Sequence, residues 1–77
     1  KDIVLKLVLG LRALGLGQNA LIELEKYCIE ELKINHITLD AYDNNYKAIH
    51  IYEKIGYQLI KSSINYNRKV LFYEKFL

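Results

Sequence analysis

The sequence predicts an α/β fold, in the α+β sense of helices on one mixed sheet, with the element order β-α-β-α-β-β. Three observations predict it. A nearly continuous aliphatic run from Ile3 to Leu9, broken only by Lys6, suits a strand buried on both faces. Helical periodicity runs from Gln18 to about Lys33 and again from Tyr46 to Ile55. Strict alternation at His36 to Tyr42, followed by two strand-like stretches near the C-terminus, completes the order. With 77 residues there is room for one domain, and a chain this short removes only about 60% of its unfolded surface from water. The chain begins at Lys1 and contains no Met, so residues 1–77 are read as a single partial domain, a fragment or a trimmed product.

Each element has a local reason. Gly10 to Gly17 holds three of the four glycines and links the first strand to the first helix. In that helix Leu21, Leu24, Cys28 and Leu32 recur at three- and four-residue steps, while Glu23, Lys26, Glu30 and Lys33 share the opposite side. In the second strand Ile37, Leu39 and Ala41 point one way and Thr38, Asp40 and Tyr42 the other. Asp43, Asn44 and Asn45 form a turn whose side-chain oxygens suit a helix N-cap, and Gly56 ends the short second helix in the left-handed conformation. Tyr57 to Lys61 and Val70 to Phe76 read as antiparallel strands joined by a polar loop, Ser62 to Lys69.

Composition narrows the partners. Hydrophobic residues make up 52% of the chain and charged residues 26%, a globular balance rather than that of a disordered tail. No apolar run approaches the ~20 residues needed to cross a bilayer, and no secretory leader is in view, so a cytoplasmic location is expected. The net charge of +2 is scattered, which argues for neither nucleic acid nor a membrane surface as partner. Cys28 has no second cysteine to pair with, and His36 and His50 lack metal-ligand spacing, so no metal is expected. Cys28 falls on a packing face, His36 reads as a strand-edge residue, and His50 decorates an exposed helix surface.

The segment Arg12-Ala13-Leu14-Gly15-Leu16-Gly17-Gln18 lies between a buried strand and a helix N-terminus. Glycine there lets backbone N–H groups approach an anion, and the unpaired N–H groups of the helix's first turn add partial positive charge. The segment lacks the Lys and Ser or Thr of a P-loop and has two of the three glycines of a dinucleotide fingerprint. By itself it reads equally as a tight turn or as a pyrophosphate cradle.

Taken with the downstream run Asn45-x-x-Ala48-Ile49-x-x-Tyr52-Glu53-Lys54-x-Gly56-Tyr57, the segment Arg12-x-x-Gly15-x-Gly17 resembles the GCN5-related N-acetyltransferase (GNAT) family, in order and over nearly the whole chain. The resemblance implies a mixed sheet whose first two strands run parallel but splay apart, so that acetyl-CoA inserts between them as a pseudo-strand. It implies that main-chain groups at Leu5, Lys6 and Leu7 bond the pantetheine arm. The amides of Ala13, Leu14, Gly15, Leu16, Gly17 and Gln18 would hold the pyrophosphate, with the Arg12 charge either assisting or serving a surface contact. Tyr52 matches the tyrosine that protonates the departing thiolate, against a plain packing role. Asn45 matches an asparagine that contacts the pantetheine, and it also suits a helix cap. Asp40 stands where some members carry a general base for the amine, against a solvated strand carboxylate.

The implied function is direct transfer of an acetyl group from acetyl-CoA to a primary amine, a protein N-terminus or a small amine. The alternative is a truncated, non-catalytic module that binds an acyl-CoA or a protein, and a third reading reduces both motifs to packing. An exposed apolar first strand further predicts self-association or pairing with a missing N-terminal half.

Overall fold

The computed structural model describes residues 6–9, as a strand, and residues 17–77. Strand β1 (Lys6–Leu9) is followed by helix α1 (Gln18–Tyr27), which continues into a π turn (Cys28–Leu32). Strand β2 (His36–Tyr42), helix α2 (Tyr46–Ile55) and strands β3 (Gln58–Asn65) and β4 (Arg68–Phe76) complete the chain. The sheet order is β1-β2-β4-β3. The three strands β2, β4 and β3 form an antiparallel sheet. At its side β1 pairs parallel with β2, from Lys6 opposite His36 to Leu9 opposite Leu39.

Over this register the splay expected of the first two strands is not found: Lys6 and Leu7 lie in register against His36 and Ile37. The described register ends at the Leu9–Leu39 row, and residues 10–16 lie outside the described part.

One core holds the layers together. Leu21 and Cys28 from the first helical segment, and Ile51 and Tyr52 from α2, meet Ile37, Leu39 and Ala41 of β2 and Tyr73 of β4. Both helices therefore sit on the same sheet face, the one chosen by the alternation of β2. Helix α2 has the bounds its punctuation predicts. The Asn45 side chain accepts a hydrogen bond from the Ala48 N–H at 3.2 Å. Gly56, at φ 110°, closes the other end. The N–H groups of Gly56 and Tyr57 both bond the Tyr52 carbonyl, at 3.1 and 2.9 Å, and Gly56 also bonds Glu53 at 3.2 Å. This is a Schellman closure, in which the residue after the glycine packs back on the helix's last turn. Here that contact is between the Tyr57 and Tyr52 rings, with centroids 6.2 Å apart.

The first helix departs from its expected form. After Tyr27 the bonded groups are five residues apart rather than four, and the Cys28 carbonyl accepts from both Lys33 and Ile34. Lys33 takes the left-handed conformation at φ 57°. Leu32, four residues after Cys28, falls short of a full wide turn and leaves the buried stripe with 42% exposure. His36 is not an edge residue, because β2 lies inside the sheet. Its ring stacks on Phe76 at 4.2 Å, and its Nε2 lies 2.8 Å from Glu74 Oε1.

The expected Ser62–Lys69 loop is strand instead. β3 and β4 extend to Asn65 and Arg68, which pair directly and leave a two-residue turn. Tyr66 and Asn67 both have positive φ, 51° and 63°, as a type I′ hairpin turn requires. Every residue of β3 is exposed, so its polar composition marks a solvated edge strand as much as a loop.

Two left-handed turns supply a test. Gly56→Ala forces an L side chain to φ 110° and is expected to destabilise the protein by about 1–2 kcal/mol in urea denaturation. Replacing Tyr66-Asn67 by Asn-Gly, the preferred I′ pair, is expected to stabilise it by up to about 1 kcal/mol, a rise of roughly 4–8 °C in melting temperature. The reverse order of the two variants would contradict the turn assignments.

Candidate active site

Tyr52 stands at the meeting point of α2 and the sheet. It is 2% exposed, and its hydroxyl donates to the main-chain carbonyl of Asp40 at 3.1 Å. Asp40 is the residue of β2 immediately beyond the Leu9–Leu39 row. The phenol is thus aimed at the place where the described pairing of the two parallel strands stops. Its ring packs edge-on to Tyr73, with centroids 5.5 Å apart and planes at 67°, and tilts against Tyr57. Burial raises the Tyr52 pKa well above the ordinary phenol range, and the Asp40 charge and then Tyr73 raise it further. The hydroxyl therefore keeps its proton at neutral pH. Asp40 itself is half-buried, on the sheet face opposite the helices.

The N-terminus of α1 is described from Gly17 onward. Its N-cap is Gly17, which offers no side-chain oxygen to the first-turn N–H groups, and no acidic residue lies in that turn. A Cβ at Gly17 would meet nothing within 4 Å. Among the described residues, no side chain caps the Gln18 end of the helix and no acidic residue stands in its first turn.

Of the residues named from the sequence, Tyr52 and Asp40 are brought together by a hydrogen bond, and Gly17 and Gln18 form the helix entry. Lys6 and Leu7 lie in the paired part of β1. Asn45 acts as the α2 cap. Leu5, Arg12, Ala13, Leu14, Gly15 and Leu16 lie outside the described residues. Cys28 is fully buried, and burial followed by the Glu25 charge pushes its thiol pKa up, the opposite of an activated nucleophile. Among the described residues no group of three or more His, Cys, Asp or Glu could hold a metal. No helix among them is long and apolar enough to cross a membrane.

Sequence reasoning passes over one charged pair beside this site. The Lys75 ammonium lies 3.2 Å from both carboxylate oxygens of Glu25 and 3.0 Å from the Ile55 carbonyl at the end of α2. It also sits 5.6 Å from the centre of the Tyr57 ring. One ammonium therefore ties α1, α2 and β4 together. The signal is present in the sequence as position rather than type: Glu25 is four residues from Leu21, and Lys75 alternates with Leu71 and Tyr73. The Tyr57 hydroxyl is buried beside the Glu25 carboxylate, and burial followed by that carboxylate raises its pKa.

Known proteins resemble this chain in family pattern and in fold. The family model for the Acetyltransferase (GNAT) family matches residues 10–57, more than half of the chain. No curated protein matches the chain in sequence. Among solved structures, a Spermidine N-acetyltransferase chimera from Vibrio cholerae and hSSAT is similar with a TM-score of 0.72 and 18% identity, over 86% of this chain and 44% of that one. A provisionally assigned acetyltransferase from Acinetobacter baylyi ADP1 gives 0.70 and 21%, over 86% and 40%. A second such assigned acetyltransferase gives 0.68 and 22%, over 77% and 37%. At these identities the likeness shows the fold, and the chain spans roughly two fifths of the length of these relatives.

The buried phenols carry a pH prediction. In the unfolded chain Tyr52 and Tyr57 ionise near about pH 10, while their folded pKa values lie higher. Their contribution is fully present below that pH. Above it the unfolded state has lost protons that the folded state retains, so each group lowers stability by about 1.4 kcal/mol per pH unit. Urea denaturation from pH 8 to 11 is expected to show this alkaline fall, and Tyr57→Phe to make it shallower by one proton.

Proposed function

This chain belongs to the acetyltransferase (GNAT) family, and on that premise we propose that it forms the coenzyme-binding part of an N-acetyltransferase acting on a primary amine. The observation that carries the proposal is the Tyr52 hydroxyl held on the Asp40 carbonyl, one residue beyond the last described β1–β2 row. The acyl arm of acetyl-CoA enters beyond the Leu9–Leu39 row, where the described pairing stops. Lys6 and Leu7 stand in register with His36 and Ile37, so main-chain contact between the expected Leu5–Leu7 stretch and the pantetheine requires that this pairing open. The amides from Ala13 to Gln18 receive the pyrophosphate, supported by the uncapped first turn of α1. Arg12 adds its charge there, and Asn45 adds a pantetheine contact to its capping role.

The reaction follows from proton matching. The acceptor amine attacks the thioester carbon, forming the C–N bond, and a backbone N–H of β1 steadies the oxyanion that develops. The C–S bond then breaks and the sulfur leaves as a thiolate. Tyr52 donates its hydroxyl proton to that sulfur, and the amine's surplus proton passes to Asp40 directly or through water. A raised phenol pKa is compatible with this role, because burial disfavours the phenolate and the thiolate alike, so the proton moves between two acids raised together. The hydrogen bond to the Asp40 carbonyl is long for an O–H···O contact, and the hydroxyl exchanges it readily for a charged sulfur. The acceptor is a protein N-terminus or a small amine. β1 is at one side of the described sheet and pairs with a missing N-terminal half or a second copy.

Two measurements test this reading. Coenzyme A is expected to stabilise the protein by about 2.7 kcal/mol at a hundredfold excess over its dissociation constant, seen as a thermal shift. Acetyl-CoA with an amine acceptor is expected to release free thiol, and Tyr52→Phe to slow that release by roughly 100-fold or more with little change in coenzyme affinity. Binding without thiol release for any amine would make the chain a binding module. No shift at millimolar coenzyme A would leave the two motifs as packing.

A further inference from the structure

We infer that Tyr73 is a positioning residue for the acetyl-transfer step, clamping the ring of Tyr52 so that its hydroxyl stays aimed at the Asp40 position, one residue beyond the Leu9–Leu39 row. The inference rests on Tyr52 being the proton donor, as proposed above. Tyr73 lies on β4 directly opposite Leu39, the last β2 residue in the described register with β1. Its own row therefore ends where that pairing ends, and Tyr52 reaches over it to the next residue, Asp40. The ring of Tyr73 meets Tyr52 edge-on at 5.5 Å and 67°, the favoured arrangement for two aromatic quadrupoles. Its hydroxyl points at Glu53 Oε2, 3.4 Å away, on the residue next to Tyr52 in α2. Tyr73 is 2% exposed, so both ends of the side chain are held against that helix.

The other ring beside Tyr52 cannot serve the same purpose. Tyr57 follows Tyr52 through the Schellman closure of the same helix, with its N–H bonded to the Tyr52 carbonyl, and so it moves with the residue it touches. Tyr73 belongs to the sheet that carries Asp40. Its ring fixes the phenol relative to β2 directly, whereas Tyr57 meets β4 through the Lys75 ammonium. A reacting group displaced by about 1 Å costs on the order of 100-fold in rate, so loss of this wall should appear in turnover rather than in coenzyme binding.

The test uses the complete protein as its gene encodes it, with acetyl-CoA and two acceptors, spermidine and a short peptide with a free N-terminus. Tyr73→Leu, which removes the ring, is expected to lower kcat about 10- to 100-fold while KM for acetyl-CoA stays within about threefold. Tyr73→Phe keeps the ring and is expected to stay within about threefold of the unaltered protein in both constants. Equal losses in the two variants, or no loss in Tyr73→Leu, would overturn the inference. If Tyr52→Phe is slow but Tyr73→Leu is not, the clamp fails and the proton-donor reading stands. If Tyr52→Phe turns over normally, both fall. A readout independent of turnover and of the Leu variant's folding is NMR of the Tyr52 ring in the unaltered protein. Slow ring flipping, with separate signals for its two edges, is expected, and a freely flipping ring would refute the clamp.

Discussion

A single residue, Tyr52, carries two constraints on which the rest of the structure depends. Its carbonyl receives the N–H groups that close α2, and its hydroxyl ties that helix to the main chain of β2. The first bond set requires a left-handed residue four positions later, which Gly56 provides without steric cost. The second requires that the helix lie at one height on the sheet, so that a phenol of fixed length spans the gap. The family-like spacing from Tyr52 to Gly56 and Tyr57 thus has a mechanical origin before it has a chemical one. Closing the helix sets the tyrosine's height, and the height sets which main-chain carbonyl its hydroxyl meets.

The charged pair Glu25–Lys75 extends the same logic to the first helix. A pair this poorly solvated does little for net stability, because desolvation offsets much of the Coulomb attraction. Its geometric effect is plainer. The Lys75 ammonium bonds the last carbonyl of α2 and the Glu25 carboxylate of α1 at once, so the helix that begins at Gln18 and the helix with the phenol share one anchor on β4. A cofactor spanning both ends would meet two elements whose separation is fixed by the same side chain.

What could be read from residues alone divides along physical lines. The bounds of β2 and α2 were legible because alternation, an Asn cap and a Gly stop are local signals with local causes. Tyr52 and Asp40 were legible as candidates through the motif frame, and their contact was not, because it joins a side chain to a main-chain carbonyl that any residue could supply. The π turn was invisible: widening one turn changes no composition, and only the exposure of Leu32 betrays it. Glu25 and Lys75 were hidden by their charge, though their spacing placed them inward. The long β3–β4 hairpin was hidden by its polarity, since a strand with both faces wet has no alternation to show.

That hairpin also bears on how the molecule behaves in a crowd. Among the described residues its outer strand has no neighbour on one side, with Leu59, Ile60 and Ile64 exposed along it, which is the usual recipe for fibril templating. The register slips by one residue between Leu59 and Lys61, and Lys61 sits directly after the slip with its ammonium over the Phe72 ring. A kinked ladder flanked by a cation makes a poor docking rail for an identical neighbour. The irregularity acts as a gatekeeper against runaway stacking and leaves the strand sticky to nothing in particular.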